Sequence, residues 1–532
     1  MRRFSSYGPI DTDLYYYAPR KELIDNAVIQ LAGENPVKSG HYITVWAPRQ
    51  TGKTWVMQQV MLRLKKTPRV DVLKINLEHL KDEQEVGKII EAIAKEIGEK
   101  LGKTFEGINN QRKFQDIFRK KILEKPMVLI LDEFDALLEE GINTIAGAFR
   151  NIYISRTDEI GKTSEEKTYL LHSVALIGVR SVLGIENVKG SPFNVQRSVH
   201  IPNLSYDEVL GMFEWYEKES GQSISRDVLD QIYYECNGQP GLTCWLGELL
   251  TEKYNKDKTR PISMSDWEYT YMYASRGLPN NNILNIIEKA NIEPYKDKVL
   301  ELFRTDEKME FRFDDKELNF LYMNGITDIE EDRENMTLYS RFSSPFVQKR
   351  LFNYFSNEIF DRLGQLVDPF ENMDDAISED NLNIPNIINR YRKYLRENRE
   401  WLFKEAPRRK DLRIFEAVYH FNLYRYLYDL LKIWKSHVFA EFPTGNGKVD
   451  ILIKHGGKLY GLEVKSFVNE RAYKEALKQT AVYGKQLGLK EMTLVFFVET
   501  IDEKNRKKFE TRFVDEDEKG KITVKPVFVQ VL

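Results

Sequence analysis

The apolar positions of this chain fall into two rhythms. Near the N-terminus, HYITVW (41–46), PMVLIL (126–131) and YLLHSVALIG (169–178) are short, nearly unbroken apolar runs. Such runs predict strands buried on both faces, as in a parallel sheet covered by helices. The first is followed by a tight loop and the helical stretch WVMQQVM. Further on, NLSYDEVLGMFEWYEKESG predicts a helix opened by Ser205 and an acidic pair, and ECNGQPGLTCWLGELL another, entered through a Gly238-Gln239-Pro240 turn. Residues 299–355 read as helix, helix, then a hairpin: after Gly325, the alternating segments TDI and MTLYSRF flank the acidic turn EEDREN. Towards the C-terminus, RIFEAVYHFNLYRYLYDLL is an amphipathic helix, and GNGKVDILIKHGGKLYGLEVKS is two strands joined by a turn.

That last stretch carries charge inside an apolar frame. Val449, Ile451, Ile453, Leu462 and Val464 make both strands core-like, yet Asp450, Glu463 and Lys465 are interleaved with them. If His455 and Lys458 flank a two-residue Gly456-Gly457 loop, the register sets Asp450 opposite Glu463; a longer loop would shift it. Facing carboxylates repel unless a cation lies between them. Strand period places Lys465 on the face of Glu463. Two acids and a lysine on one face suit metal-assisted phosphodiester hydrolysis, with Mg²⁺ or Mn²⁺ on the carboxylates and the ammonium orienting water or stabilising developing charge. Downstream, Gln479 and Tyr483 share a helix face at i,i+4.

The loop APRQTGKT (47–54) fits the phosphate-binding pattern G-x-x-x-x-G-K-[ST] except that Ala47 replaces the first glycine. Gly52 admits backbone N–H groups to the phosphates, Lys53 reaches the β- and γ-phosphates, and Thr54 is a Mg²⁺ ligand. The second apolar run ends in Asp132-Glu133, where an α/β sheet displays its ligands. Asp132 is expected to hold Mg²⁺ through water and Glu133 to polarise the attacking water, while acids at this place also serve to open the next helix.

The C-terminal set (Asp450, Glu463, Lys465, then Gln479 and Tyr483) resembles the PD-(D/E)XK nuclease superfamily, specifically the RecB-like branch with a QxxxY helix, over roughly residues 408–532. The resemblance implies that Asp450, Glu463 and Lys465 are catalytic, that Glu416 is a helix-borne acid completing the metal site, and that Gln479 and Tyr483 orient DNA or the site. The N-terminal motifs resemble AAA+/STAND-like P-loop ATPases, over residues 1 to about 275. This implies a γ-phosphate sensor at the end of the third apolar strand, for which Arg180 is the candidate, and a lid touching nucleotide through a GxP turn, here Pro240. It also implies an aromatic and an arginine near the adenine (Tyr17 and Arg20) and, commonly, a winged helix after the lid. Arg150 reads either as an arginine finger for a neighbouring subunit or as a surface-helix arginine.

Charge adds a linker. Residues 368–380 hold six acids and no bases, and read as an exposed connection; residues 390–410 hold nine Lys/Arg against three Glu. With Tyr391, Tyr394, Trp401 and Phe403 interleaved, the basic helix reads either as an approach to a DNA backbone or as an amphipathic helix packed through its aromatics. Winged helices often bind DNA, but the wing tip here is acidic, so a protein–protein or intramolecular packing role stands at least level with DNA binding.

The whole chain of 532 residues, 42% hydrophobic, 30% charged and with net charge −3, is expected to form several globular domains. It shows no apolar run of membrane-span length and no apolar signal core, and Cys236 and Cys244 fit neither a disulfide framework nor a zinc pattern, so a cytoplasmic protein with no membrane partner is expected. The expected architecture is α/β multidomain: P-loop ATPase core (1–200), helical lid (201–280), winged-helix-like domain (281–358), linker and basic helix (359–407) and PD-(D/E)XK nuclease domain (408–532). The expected function is ATP binding and hydrolysis that gates metal-dependent cleavage of a nucleic acid, DNA before RNA; a trans arginine finger would further require a homo-oligomer. The alternative is an ATP-dependent switch or scaffold in defence or mobile-element function, whose nuclease fold binds nucleic acid without cutting it.

Overall fold

The computed structural model describes residues 1–6, 8, 10–178, 196–303, 308–368, 370–410, 413–444, 447–518 and 520–531. They form two compact units, Met1–Asn282 with Tyr322–Gly325, and Ile283–Leu321 with Ile326–Leu532.

The first unit is built on a five-stranded sheet of order β2-β3-β4-β1-β5, with β1 Tyr42–Trp46, β2 Asp71–Asn76, β3 Met127–Asp132, β4 Leu171–Gly178 and β5 Gln196–His200. Every pairing is parallel. β3 and β4 are buried along their whole length, as their unbroken apolar runs require. Helices Val86–Leu101 and Glu139–Asp158 close one face through Ile93, Ile97 and Phe149; helices Lys21–Ala32 and Lys53–Leu64 close the other through Leu31, Met57 and Val60. β4 lies between the strand leading into the phosphate-binding loop and the strand ending in Asp132, so the two motifs converge across it.

Helices Tyr206–Ser220, Arg226–Cys236 and Pro240–Glu248 follow. The first starts in a capping box, Ser205 accepting from the Glu208 N–H while Glu208 accepts from the Ser205 N–H. Gly238 has φ 67°, and a Cβ there would lie 1.9 Å from the Leu204 carbonyl oxygen, so the turn into the third helix requires glycine.

The second unit holds two sheets. The smaller is antiparallel, β6 (Met309–Glu310), β7 (Thr327–Asp332) and β8 (Thr337–Phe342) in the order β6-β8-β7. The larger has the order β13-β14-β12-β11-β10-β9, where β9 is His437–Thr444, β10 Gly447–His455, β11 Lys458–Ser466, β12 Glu491–Val498, β13 Phe513–Asp517 and β14 Gly520–Gln530. β9, β10 and β11 form an antiparallel meander, and the helix Glu470–Gln486 crosses over to β12, which lies parallel to β11. Tyr473, Leu477, Leu494, Phe496 and Phe528 pack in the core beneath that helix.

Two features of the packing bear on the segments between the motifs. Phe303 and Phe352, from the segment expected to be a separate winged-helix-like domain, stack edge-on against Phe421 of the helix Glu416–Leu431 at 5.4 and 4.8 Å. Residues on both sides of position 358 thus share an aromatic cluster. The acidic segment 368–380 is no bare connection either. Lys393 pairs with Asp368 at 3.0 Å, and Arg390 with Glu371 at 3.0 Å and Asp375 at 2.6 Å. Of the aromatics on the basic helix, Tyr391, Tyr394 and Phe403 are buried, the two tyrosines donating to Asn422 Oδ1 and the Leu363 carbonyl. This helix packs through its aromatics and pairs several of its cations internally; Trp401 alone of the four stays exposed.

Candidate functional site

The loop after β1 turns through two left-handed residues, Gln50 (φ 57°) and Gly52 (φ 89°), before the helix Lys53–Leu64. Nothing lies within 4 Å of where a Gly52 Cβ would stand, so the left-handed backbone alone calls for glycine. The Lys53 ammonium folds back onto the Ala47 and Pro48 carbonyls, both at 2.8 Å. Burial drives its pKa down to about 8 against the pull of Glu133, Asp135 and Asp132. Asp132, at the end of β3, accepts from Thr54 Oγ1 at 3.5 Å and from the Glu133 N–H at 3.2 Å through Oδ1, while Oδ2 pairs with Lys74 of β2 at 2.8 Å. Glu133 adopts a left-handed backbone (φ 55°), and burial followed by the Asp135 carboxylate raises its pKa. A raised pKa suits a group that takes a proton from water.

Gln50, Gly52, Lys53, Thr54, Lys74 and Glu133 line a cavity of about 1470 Å³ together with Pro240 and Gly241. The Gly238-Gln239-Pro240 turn reaches the loop directly: Gln239 Nε2 donates to the Arg49 carbonyl at 3.1 Å, and the Gly241 N–H to the Gln50 carbonyl at 3.1 Å. Sequence reasoning did not single out Lys74; a charged residue in a half-buried strand was the available signal. Arg20 turns to the Pro202 carbonyl (2.7 Å) and Glu208 (3.3 Å), and Tyr17 packs between Trp55 and Trp215, so both brace the helices around the cavity. Arg150 is half-buried on the helix Glu139–Asp158, and Arg180 lies outside the described residues.

In the second unit the Gly456-Gly457 turn has both residues at positive φ (53° and 75°), with His455 paired to Lys458. This is the two-residue loop that the Asp450–Glu463 register needs. The ladder runs from that pair to Ile451–Leu462 and stops one step short of Asp450 and Glu463. There the Val464 N–H donates to the Asp450 carboxylate at 2.7 Å. Pairing also lapses on the other side, between Asp450 and Glu441 of β9, where Glu441 takes a left-handed φ of 54°. The register is the same on either side of the lapse, Val449 with Phe442 and Ile451 with Ala440, so Glu441 stands directly opposite Asp450.

The charges gathered there are almost fully enclosed: Asp450 and Glu463 are 1% exposed, Lys465 4%, His420 and Glu441 3%. Lys465 Nζ lies 3.6 Å from Glu463 Oε1. Gln479 Nε2 donates to the Tyr483 hydroxyl at 2.7 Å, and burial, then Glu463, raises the Tyr483 pKa. Among the described residues, the one His/Cys/Asp/Glu group close enough to share an ion is His420, Glu441 and Asp450, whose ligand atoms all lie within 4.8 Å of one another. Glu416, expected as the helix-borne ligand, is the first residue of the helix Glu416–Leu431 and half-buried; His420, one turn further on, stands beside the Asp450 carbonyl. Sequence reasoning missed both His420 and Glu441. His420 was findable as the i+4 neighbour of Glu416; Glu441 sits on a strand with no motif.

The first unit, with a parallel sheet, a phosphate-binding loop and an acid-tipped strand around one cavity, is a P-loop nucleotide-binding core. Residues 6–258 match the family model of an AAA-like domain. Among solved structures, the chain is similar to a Walker-type ATPase of Pyrococcus abyssi (13% identity, TM-score 0.43, covering 65% of this chain and 99% of that one). It is also similar to the ORC1 protein of Aeropyrum pernix, solved in complex with DNA (15%, TM-score 0.34, 63% and 92%), and to the ORC2 protein of the same organism, solved as ADPNP and ADP complexes (13%, TM-score 0.38, 66% and 97%). No curated protein matches. No helix among the described residues is long and apolar enough to cross a membrane.

Proposed function

We propose that the chain is an ATP-hydrolysing AAA-like protein whose second unit is a metal-dependent nuclease acting on DNA, with nucleotide state gating cleavage. The observation that carries the nuclease half is the burial of Asp450, Glu463 and Lys465 where the β10–β11 ladder ends. Enclosing several charges costs several kcal/mol per ion, a cost that a purely structural sheet avoids by using apolar residues. The element order also supports it: a helix, a three-stranded meander, a crossover helix bearing Gln479 and Tyr483, and a parallel strand match the PD-(D/E)XK resemblance stated above.

Asp450 and Glu463 are the residues that would hold the divalent ion; Asp450 Oδ1 is enclosed and has no hydrogen-bond partner, which fits a carboxylate waiting for a cation. When bound, Mg²⁺ or Mn²⁺ supplies Lewis-acid polarisation of the phosphate and an activated water. Val464 fixes the Asp450 carboxylate, Lys465 places positive charge where the phosphate's charge grows, and Tyr483, held by Gln479, offers a hydroxyl that stays protonated. In the first unit, Gly52, Lys53 and Thr54 bind phosphates and Mg²⁺, Asp132 holds the ion through water, Glu133 polarises the attacking water, and Pro240 brings the lid turn to the nucleotide. A homo-oligomer and a protein partner at the β7–β8 wing belong to the same reading.

The test is cleavage of supercoiled, linear and single-stranded DNA with Mg²⁺ or Mn²⁺, with and without ATP, for wild type, Asp450→Ala and Lys53→Ala. Expected is cutting lost in Asp450→Ala and altered in Lys53→Ala. ATP hydrolysis without cutting under any condition would overturn the nuclease half.

A further inference from the structure

Asp450 has charged neighbours on both sides. β11 brings Glu463 on one flank, and β9 brings Glu441 on the other, with His420 arriving from the helix Glu416–Leu431. The geometry around His420 is specific. Its Nε2 stands 3.3 Å from the backbone carbonyl of Asp450, an acceptor, so Nε2 carries the proton. Nδ1 then faces Glu441 Oε1 at 3.7 Å, too far for a good hydrogen bond. In the neutral ring, Nδ1 presents a lone pair to a carboxylate, an arrangement that a cation between them would satisfy. Gln348 Nε2 donates to Glu441 Oε2 at 2.9 Å and fixes the carboxylate from behind, as outer groups orient metal ligands. Glu441 carries a left-handed φ of 54°, and the β9–β10 register sets it opposite Asp450. Asp450 contributes the enclosed Oδ1 that has no hydrogen-bond partner.

We propose that His420, Glu441 and Asp450 form a divalent-cation site of their own, sharing Asp450 with the Glu463 flank and favouring an ion that accepts imidazole, such as Mn²⁺, Fe²⁺ or Zn²⁺, over Mg²⁺. Ligand atoms about 2.0–2.3 Å from one ion stand about 3.3–3.8 Å apart at tetrahedral angles. The 3.7 Å between His420 Nδ1 and Glu441 Oε1 lies in that range, and the three ligand atoms all lie within 4.8 Å of one another. The imidazole sets the preference, because nitrogen ligands suit first-row transition ions while Mg²⁺ keeps to oxygen and water. The site stands on this geometry alone and does not need DNA cleavage.

The experiment uses the full chain stripped of metal with a chelator and titrated with Mn²⁺, followed by paramagnetic resonance, and with Co²⁺, followed by visible absorption. Expected is a Co²⁺ ligand-field band indicating nitrogen ligation. It should be lost, or shifted tenfold or more to higher Co²⁺, in His420→Ala and Glu441→Gln, and kept in Glu463→Gln. Glu441→Gln binding Co²⁺ and Mn²⁺ like wild type would overturn the site and leave Glu441 a structural partner of His420. If Glu441→Gln does not fold, the unaltered chain decides, since no nitrogen-type band at millimolar Co²⁺ equally overturns it. Ion binding without DNA cutting would sink only the nuclease reading, and cutting with a silent Co²⁺ titration would sink only this one.

Discussion

The two candidate sites are built from opposite materials. The phosphate-binding loop is mostly backbone: N–H groups, two left-handed residues and one lysine open onto a cavity of about 1470 Å³. The β9–β11 site is all side chain: three carboxylates, an imidazole and an ammonium closed into a sheet with almost no exposure. A backbone site needs fixed spacing along one segment, so it is compact in sequence and costs little when empty. A side-chain site drawn from four elements needs strand register and a helix placed correctly, and encloses its charges at an electrostatic cost.

That contrast can be broken by exchange of effects. Asp450→Ala should lower any metal-dependent cleavage by at least on the order of 10²–10³ while leaving nucleotide affinity unchanged. Lys53→Ala should weaken nucleotide binding by about 10–100-fold and leave Mn²⁺ uptake by the second unit unchanged. Fluorescent-nucleotide titration and Mn²⁺ resonance on both variants read all four numbers; a crossed effect would mean that the sites are linked.

The open site should also show a pH signature. Lys53 must be charged to bind phosphate, and in the empty protein its pKa is pushed down to about 8. Nucleotide affinity should therefore be flat below pH 8 and fall by about tenfold per pH unit above it, with proton uptake on binding. Stability runs the other way: burial penalises the charged form, so the Lys53 contribution to stability of the empty protein rises between about pH 8 and the ordinary lysine value of 10.5. Affinity still constant at pH 9.5 would show that Lys53 keeps its proton.

The hairpin turn distinguishes strain from crowding. Both Gly456 and Gly457 have positive φ, but a Cβ on Gly456 would lie 2.4 Å from the Asp380 Cα, whereas Gly457 has open space. Gly457→Ala should cost about 1–2 kcal/mol for the left-handed backbone, and Gly456→Ala a further 1–3 kcal/mol or so for overlap, measured by urea unfolding. Equal losses would place the Asp380 segment elsewhere in solution. The smallest effect expected is a gain: Asp450→Asn should stabilise metal-free protein by about 0.5–2 kcal/mol by relieving repulsion with Glu441 and Glu463, and should abolish any stabilisation by Mn²⁺. Destabilisation by that change would mark the carboxylate as structural.

The sequence alone determined the parallel strands, the phosphate-binding loop, the capped lid helix and the Gly-Gly hairpin, because each is a local pattern: an apolar run, a fixed spacing, a cap, a turn chemistry. It also marked Asp450, Glu463 and Lys465, since charges inside an apolar alternation are conspicuous on a strand. Tertiary structure decided what long-range packing decides. His420 meets the Asp450 carbonyl because of where the helix Glu416–Leu431 lies against the sheet. Glu441 enters because the β9–β10 register sets it opposite Asp450, a pairing between strands that no local motif encodes. Lys74 meets Asp132 only because β2 and β3 are neighbours. The acidic segment read as an exposed connection, and the basic helix either as DNA-facing or as packed through its aromatics; Arg390 and Lys393 pair with Glu371 and Asp368 across them, a contact that only the fold brings about.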